Sequence, residues 1–78
     1  MKDRITEEEI LKLLSRIERE LKDVKATKKK GKEFLENISA YVKDCRYFLQ
    51  KGELVLSFET VVWSWAYLEI GRELKLIE

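Results

Sequence analysis

The last third of the chain places the strongest constraint on the fold. Residues 53–75 follow Gly52 and carry large apolar side chains around most of the circumference of a helix. A helix that is apolar on so many sides has to be covered by other segments on several of its faces. The covering segments come either from the rest of this chain or from a second molecule, and this choice bears directly on function.

A helical projection of this segment gives two apolar stripes with small residues between them. The first stripe consists of Leu54, Phe58, Val61, Trp65 and Leu68, and the second of Leu56, Trp63, Tyr67, Ile70 and Leu74. Ser57, Thr60, Ser64 and Gly71 lie between the stripes. Small residues between two bulky stripes are typical of a helix that lies in the groove between two others, with a close approach at its centre. The pattern therefore predicts a three-helix bundle with this helix in the middle.

Composition favours the same all-α class. The chain has 78 residues, of which 40% are charged and 45% hydrophobic, with no proline and three glycines. We predict one domain, residues 1–78, folded as an up-and-down three-helix bundle whose small core is dense or shared. The lack of histidine and the abundance of Lys and Glu indicate a protein that works at high temperature. No run of apolar residues is long enough for a membrane span or a signal peptide, so we expect a cytoplasmic protein with no membrane partner.

Local signals divide the chain into three helices at about 7–25, 31–51 and 53–75. Thr6 and Glu9 form a predicted capping box at the first helix, and Gly52 is expected to end the second in a left-handed conformation. Residues 25–32 contain no large apolar side chain and are predicted to form the first loop, with Thr27 or Gly31 as a cap. One alternative stays open, because the spacing of four and three residues continues through this stretch and would allow a single helix over 7–50.

The end of the second helix and the start of the third resemble a known family. The relevant segments are Tyr41-x-x-Asp44-Cys45-x-Tyr47-Phe48, Lys51-Gly52-Glu53, Ser57-Phe58-Glu59 and Trp63-Ser64-x-x-Tyr67-Leu68-Glu69. Over about residues 34–74 the chain resembles the archaeal proteins grouped as domain of unknown function 357. The resemblance implies an up-and-down three-helix bundle from an archaeon, without known activity, cofactor or catalytic residues.

The side chains needed for catalysis are scarce. Without histidine the chain lacks the usual general acid and base at neutral pH. Cys45 falls in the apolar stripe of the second helix and is expected to be a small buried residue. The acidic pairs Glu20-x-x-Asp23 and Glu33-x-x-Glu36 lie mainly on polar helix sides, where they do not converge on a magnesium ion. We therefore expect no enzyme activity, no catalytic residue, no cofactor and no metal site.

Two binding functions remain, and the leading one is protein association. We predict a small non-enzymatic protein-interaction module or a homodimer, because a bundle of this size has too little interior for all of its aromatic side chains. The candidate interface residues are the apolar positions that are hardest to bury: Tyr47, Val55, Val62, Trp63 and Tyr67. The alternative is that the aromatic residues complete the core.

The second binding function is that of a nucleic-acid-binding accessory protein. Five lysines occur within residues 25–32 without an acidic residue among them, and we call them the basic node: Lys25, Lys28, Lys29, Lys30 and Lys32. These side chains are suited to phosphate contacts, and Tyr47 to stacking on a base. A net charge of +1 and the position of the node at one end of the bundle make nucleic acid the less favoured partner.

Overall fold

The fold is an up-and-down bundle of three helices. A computed structural model describes residues 4–78, which form α1 (Glu7–Leu21), α2 (Lys29–Gln50) and α3 (Leu54–Glu73). The predicted all-α class and three-helix bundle are confirmed. α2 and α3 form a long hairpin with the most extensive interface, and α1 packs against it more lightly.

α1 begins where the capping signal places it. The Glu9 N–H donates to the Thr6 hydroxyl at 3.2 Å, and that hydroxyl donates to the Glu9 carboxylate at 2.8 Å. Ile10, Leu14 and Ile17 then recur on one side of the helix, and all three are buried in the core. The N-terminal cap of α1 is thus as the sequence predicts, and the spacing of four and three residues explains why the buried residues share one side.

The first loop covers residues 22–28 instead of the predicted 25–32, because it pairs with the C-terminal segment, residues 75–78. α1 ends at Leu21 instead of near residue 25, and the chain beyond it becomes extended. The Lys25 N–H donates to the Glu78 carbonyl at 2.7 Å, the Glu78 N–H donates back to Lys25 at 2.9 Å, and the Thr27 N–H donates to Leu76 at 2.9 Å. These bonds need extended backbone, so the alternative of one helix over residues 7–50 is wrong.

Gly31 has a different role from the predicted cap. α2 starts at Lys29, two residues earlier than expected, which places Gly31 in its first turn. A Cβ atom at Gly31 would collide with the carbonyl oxygen of Leu76. The C-terminal segment therefore crosses the start of α2 at a point where only glycine leaves enough room. This segment also brings Ile77 into the core, where it is 2% exposed.

Both helices of the hairpin end in the same type of turn. Gly52 follows α2 with a φ of 77°, and the Glu53 N–H donates to the Phe48 carbonyl at 2.9 Å, so the predicted left-handed glycine is confirmed. α3 ends at Glu73, two residues before the predicted position. Lys75 takes the left-handed conformation there, with a φ of 60°, and the Leu76 N–H donates to the Gly71 carbonyl at 2.8 Å.

Small residues set the contact between α2 and α3. Ser57, Ser64 and Gly71 are all buried, as the predicted close approach requires. The Ser57 hydroxyl donates to the Cys45 carbonyl oxygen at 2.8 Å across the interface. Cys45 itself is fully buried, which confirms its predicted place in the core. Because the Ser57 hydroxyl has a partner, its burial leaves no unsatisfied polar group.

A comparison of Gly31→Ala with Gly71→Ala tests whether position 31 requires glycine for steric reasons. Alanine affects helix propensity in the same way at both positions, so a difference in stability reports the steric effect. Both substitutions lie inside helices, where alanine is intrinsically favoured over glycine by about 1 kcal/mol. At Gly71 the new Cβ would lie 2.9 Å from the Ile77 side chain, whereas at Gly31 it meets backbone. We expect Gly31→Ala to lower the free energy of unfolding by about 2 kcal/mol, and Gly71→Ala by less. Urea denaturation measures both, and equal stability of the two variants would contradict the backbone crossing at Gly31.

Candidate functional site

α3 is the central helix, and α1 covers its first apolar stripe. The Trp65 indole N–H donates to the Leu13 carbonyl of α1 at 3.2 Å, and Arg72 forms an ion pair with Glu20 of α1 at 3.0 Å. Val61 and Leu68, from the same stripe, are fully buried. The first stripe therefore packs as the sequence predicts.

The second stripe of α3 is largely uncovered. Trp63 is 50% exposed, and Leu56, Ile70 and Leu74 are 41%, 49% and 58% exposed. α2 packs against the small residues of α3, and α1 packs against one flank. No segment within residues 4–78 covers the other flank. The result is an apolar strip along one edge of the α2–α3 hairpin.

Aromatic rings join this strip to α2. The Tyr67 ring stacks on Tyr41 at a centroid distance of 5.6 Å and meets the edge of Phe34 at 5.4 Å. The Trp63 ring lies 6.5 Å from Tyr67. Tyr67 is therefore half-buried, while Trp63 beside it is open. Phe34 and Tyr41 lie seven residues apart along one edge of α2, and this spacing is the sequence signal that connects them to the strip.

A mixed apolar and acidic strip runs beside the aromatic one. Val55 and Val62 are 67% and 43% exposed and lie one heptad apart on the outer side of α3. Glu59, Glu69 and Glu73 share that side and are exposed. Within residues 4–78, none of these three carboxylates forms an ion pair. We call the two strips together the outer face of α3: Val55, Leu56, Glu59, Val62, Trp63, Glu69, Ile70, Glu73 and Leu74.

Four of the five predicted interface residues come together and one does not. Val55, Val62 and Trp63 lie on the outer face, and Tyr67 lies at its border with α2. Tyr47 is 55% exposed but belongs to α2, where it borders a separate groove between α1 and α2 of about 710 Å³. That groove also holds the ion pair between Arg46 and Glu18. Whether any of these residues binds a partner stays a prediction.

The basic node lies at the opposite end of the hairpin from Gly52. All five of its lysines are exposed, and Lys30 forms an ion pair with Glu33 at 3.1 Å. The Thr27 hydroxyl donates to the Lys75 carbonyl at 2.7 Å. Pairing of the first loop with the C-terminal segment thus adds Lys75 to this end of the molecule, a neighbour that the linear sequence does not reveal.

Comparison with known proteins places the chain in a family. The family model "Protein of unknown function (DUF357)" matches residues 12–77. The chain belongs to the DUF357 family. The resemblance predicted over residues 34–74 is thereby confirmed, and the match also includes most of α1.

A crystal structure supports both the family and the fold. Protein AF1782 from Archaeoglobus fulgidus, also a DUF357 protein, is 47% identical and superposes with a TM-score of 0.84. The alignment covers 92% of this chain and 90% of that one. No curated protein shows significant similarity. These relatives agree with the predicted archaeal bundle and assign it no activity.

Within residues 4–78 of this DUF357 protein, each helix is too short or too polar to span a lipid bilayer. The same residues contain no group of three or more acidic or cysteine side chains placed to hold a metal ion. The expected cytoplasmic location and high working temperature stay predictions.

Proposed function

We propose that this DUF357 protein is a non-enzymatic module that acts by binding another protein molecule through the outer face of α3. The observation that carries the proposal is the exposure of Leu56, Trp63, Ile70 and Leu74 along one side of a single helix. Soluble monomers rarely expose contiguous apolar patches larger than a few hundred Å², and larger patches mark interaction sites.

The chemistry of the face suits a protein partner. Tryptophan and tyrosine are both enriched among the interface positions that dominate binding energy. Trp63 is open, and its neighbour Tyr67 is held by the rings of Phe34 and Tyr41. An aromatic side chain supported from behind loses little conformational freedom on binding, so more of its contact energy contributes to affinity.

Three nucleophilic side chains in the core of the bundle have structural roles, which supports a binding role over an enzymatic one. Cys45 is fully buried, and the Ser57 hydroxyl next to it donates to a backbone carbonyl. The Ser64 hydroxyl is also buried and donates to the Val61 carbonyl at 2.6 Å. These three groups satisfy structural hydrogen bonds or fill the core, and none of them faces solvent where a substrate could reach it.

Truncation of the outer face tests the proposal. We expect Trp63→Ala combined with Ile70→Ala to weaken association by more than about 1 kcal/mol, because both anchors lose buried apolar area. The matched control is Leu11→Ala, which removes an apolar side chain of α1 that is also 43% exposed. Sedimentation and quantitative affinity capture from cells of the source organism compare the three proteins. Unchanged sedimentation and an unchanged set of captured proteins in the double variant would refute a binding role for this face.

Nucleic-acid binding through the basic node is the competing function, and the position of Lys75 favours it. If the node binds phosphates, a mobility shift should appear at low salt and fall steeply as salt rises. Changing Lys28, Lys29 and Lys30 to Gln should then abolish the shift. An absence of any shift with single- or double-stranded DNA or RNA at low salt would eliminate this function.

A further inference from the structure

We infer that the outer face of α3 binds a basic amphipathic helix of another protein, in preference to a second copy of this chain. The inference rests on the proposed function and adds the chemistry of the partner. It follows from the carboxylates that border the apolar strip and from the positions of the nearby basic groups.

The charges on the outer face have one sign. Glu59, Glu69 and Glu73 alternate with the exposed apolar residues, and no residue between 4 and 78 neutralises them. The one basic residue within α3, Arg72, points to the opposite side and pairs with Glu20 of α1. A partner that covers the apolar strip therefore brings its own side chains close to three carboxylates.

The α2 side of the strip does not offset this negative charge. Asp44 follows Tyr41 by three residues on α2, is exposed, and also lacks an ion-pair partner within residues 4–78. Lys30 is neutralised by Glu33, and the Lys51 ammonium group lies over the Tyr47 ring, 5.6 Å from its centroid, away from the strip. The apolar strip thus has acidic groups on both of its long sides.

A symmetric homodimer through this face would be electrostatically unfavourable. In a two-fold contact the same patch lies on both sides of the interface, so the carboxylates of one copy would meet those of the other. Like charges brought together across an interface repel each other and act against that partner. Lysine or arginine on the partner would convert the same carboxylates into attractive contacts.

The shape of the face fits a helix. The exposed apolar residues recur along the full length of α3, with Leu56, Trp63 and Ile70 spaced by seven residues. A second helix lying along this row would place apolar residues at spacings of three and four against it, as in other helix-in-groove complexes. The bound helix would then pack on the α2–α3 hairpin as a fourth helix.

Three labelled peptides test this inference by fluorescence anisotropy. The first is a model amphipathic helix of Leu and Lys, about 21 residues long, which spans α3 at 1.5 Å per residue. The second replaces every Lys with Glu, and the third scrambles the first so that no apolar stripe remains. We expect the Leu/Lys helix to bind at least about tenfold more tightly than either of the others, and its affinity to fall with salt.

Two matched triple variants test whether the carboxylates of the outer face, and not the overall charge of the protein, strengthen binding of the Leu/Lys helix. Glu59→Gln, Glu69→Gln and Glu73→Gln together should weaken binding of the Leu/Lys helix about tenfold. Glu8→Gln, Asp23→Asn and Glu36→Gln remove the same number of exposed carboxylates elsewhere and should leave the affinity unchanged. Circular dichroism checks that both variants keep their helices.

The possible results are distinct. Equal binding of the Lys and Glu helices, with loss of both in Trp63→Ala, would overturn the basic partner and leave the proposed binding face intact. A homodimer that Trp63→Ala dissociates, without binding of any peptide, would identify a second copy as the occupant and overturn the inference. Equal loss of affinity in the two triple variants would also overturn it, because only overall charge would then matter.

Discussion

The close contact between α2 and α3 is the interaction on which the rest of the structure depends. Ser57, Ser64 and Gly71 face α2 and let the two helices approach, and the Ser57 hydroxyl bonds across the contact to the backbone of Cys45. Because the small residues occupy the centre of the contact, the bulky side chains of α3 are directed to its two flanks. The C-terminal segment depends on the same geometry, since its Ile77 packs beside Gly71 at the end of the hairpin.

α1 packs against one flank of α3, and no segment within residues 4–78 covers the other flank. A domain of this size buries only about 60% of the surface that its unfolded chain exposes, so three short helices cannot cover every apolar side chain of a helix such as α3. Because like charges repel, the carboxylates among the exposed residues disfavour a symmetric contact between identical copies. In the proposed binding role, the exposed apolar residues supply the contact area and the carboxylates select a cationic helix as the partner.

Most of the fold follows from local signals in the sequence, whereas the functional surface depends on tertiary contacts. The stripes of α3, the cap at Thr6 and the turn at Gly52 depend on neighbouring residues, and the sequence predicts them. The end of α1 and the role of Gly31 depend on contacts with residues about fifty positions away, which periodicity does not reveal. Both stripes of α3 are apolar in the sequence, and the position of α1 in the fold covers Trp65 and leaves Trp63 exposed.

The exposure of Trp63 can be measured directly by acrylamide quenching of single-tryptophan variants. Trp65→Phe leaves Trp63 as the reporter, and Trp63→Phe leaves Trp65, which donates to α1 and serves as the internal control. We expect Trp63 to emit at longer wavelength and to be quenched severalfold more efficiently than Trp65 in dilute protein. Equal protection of the two residues, independent of protein concentration, would mean that this chain covers its own second stripe and would contradict an open outer face.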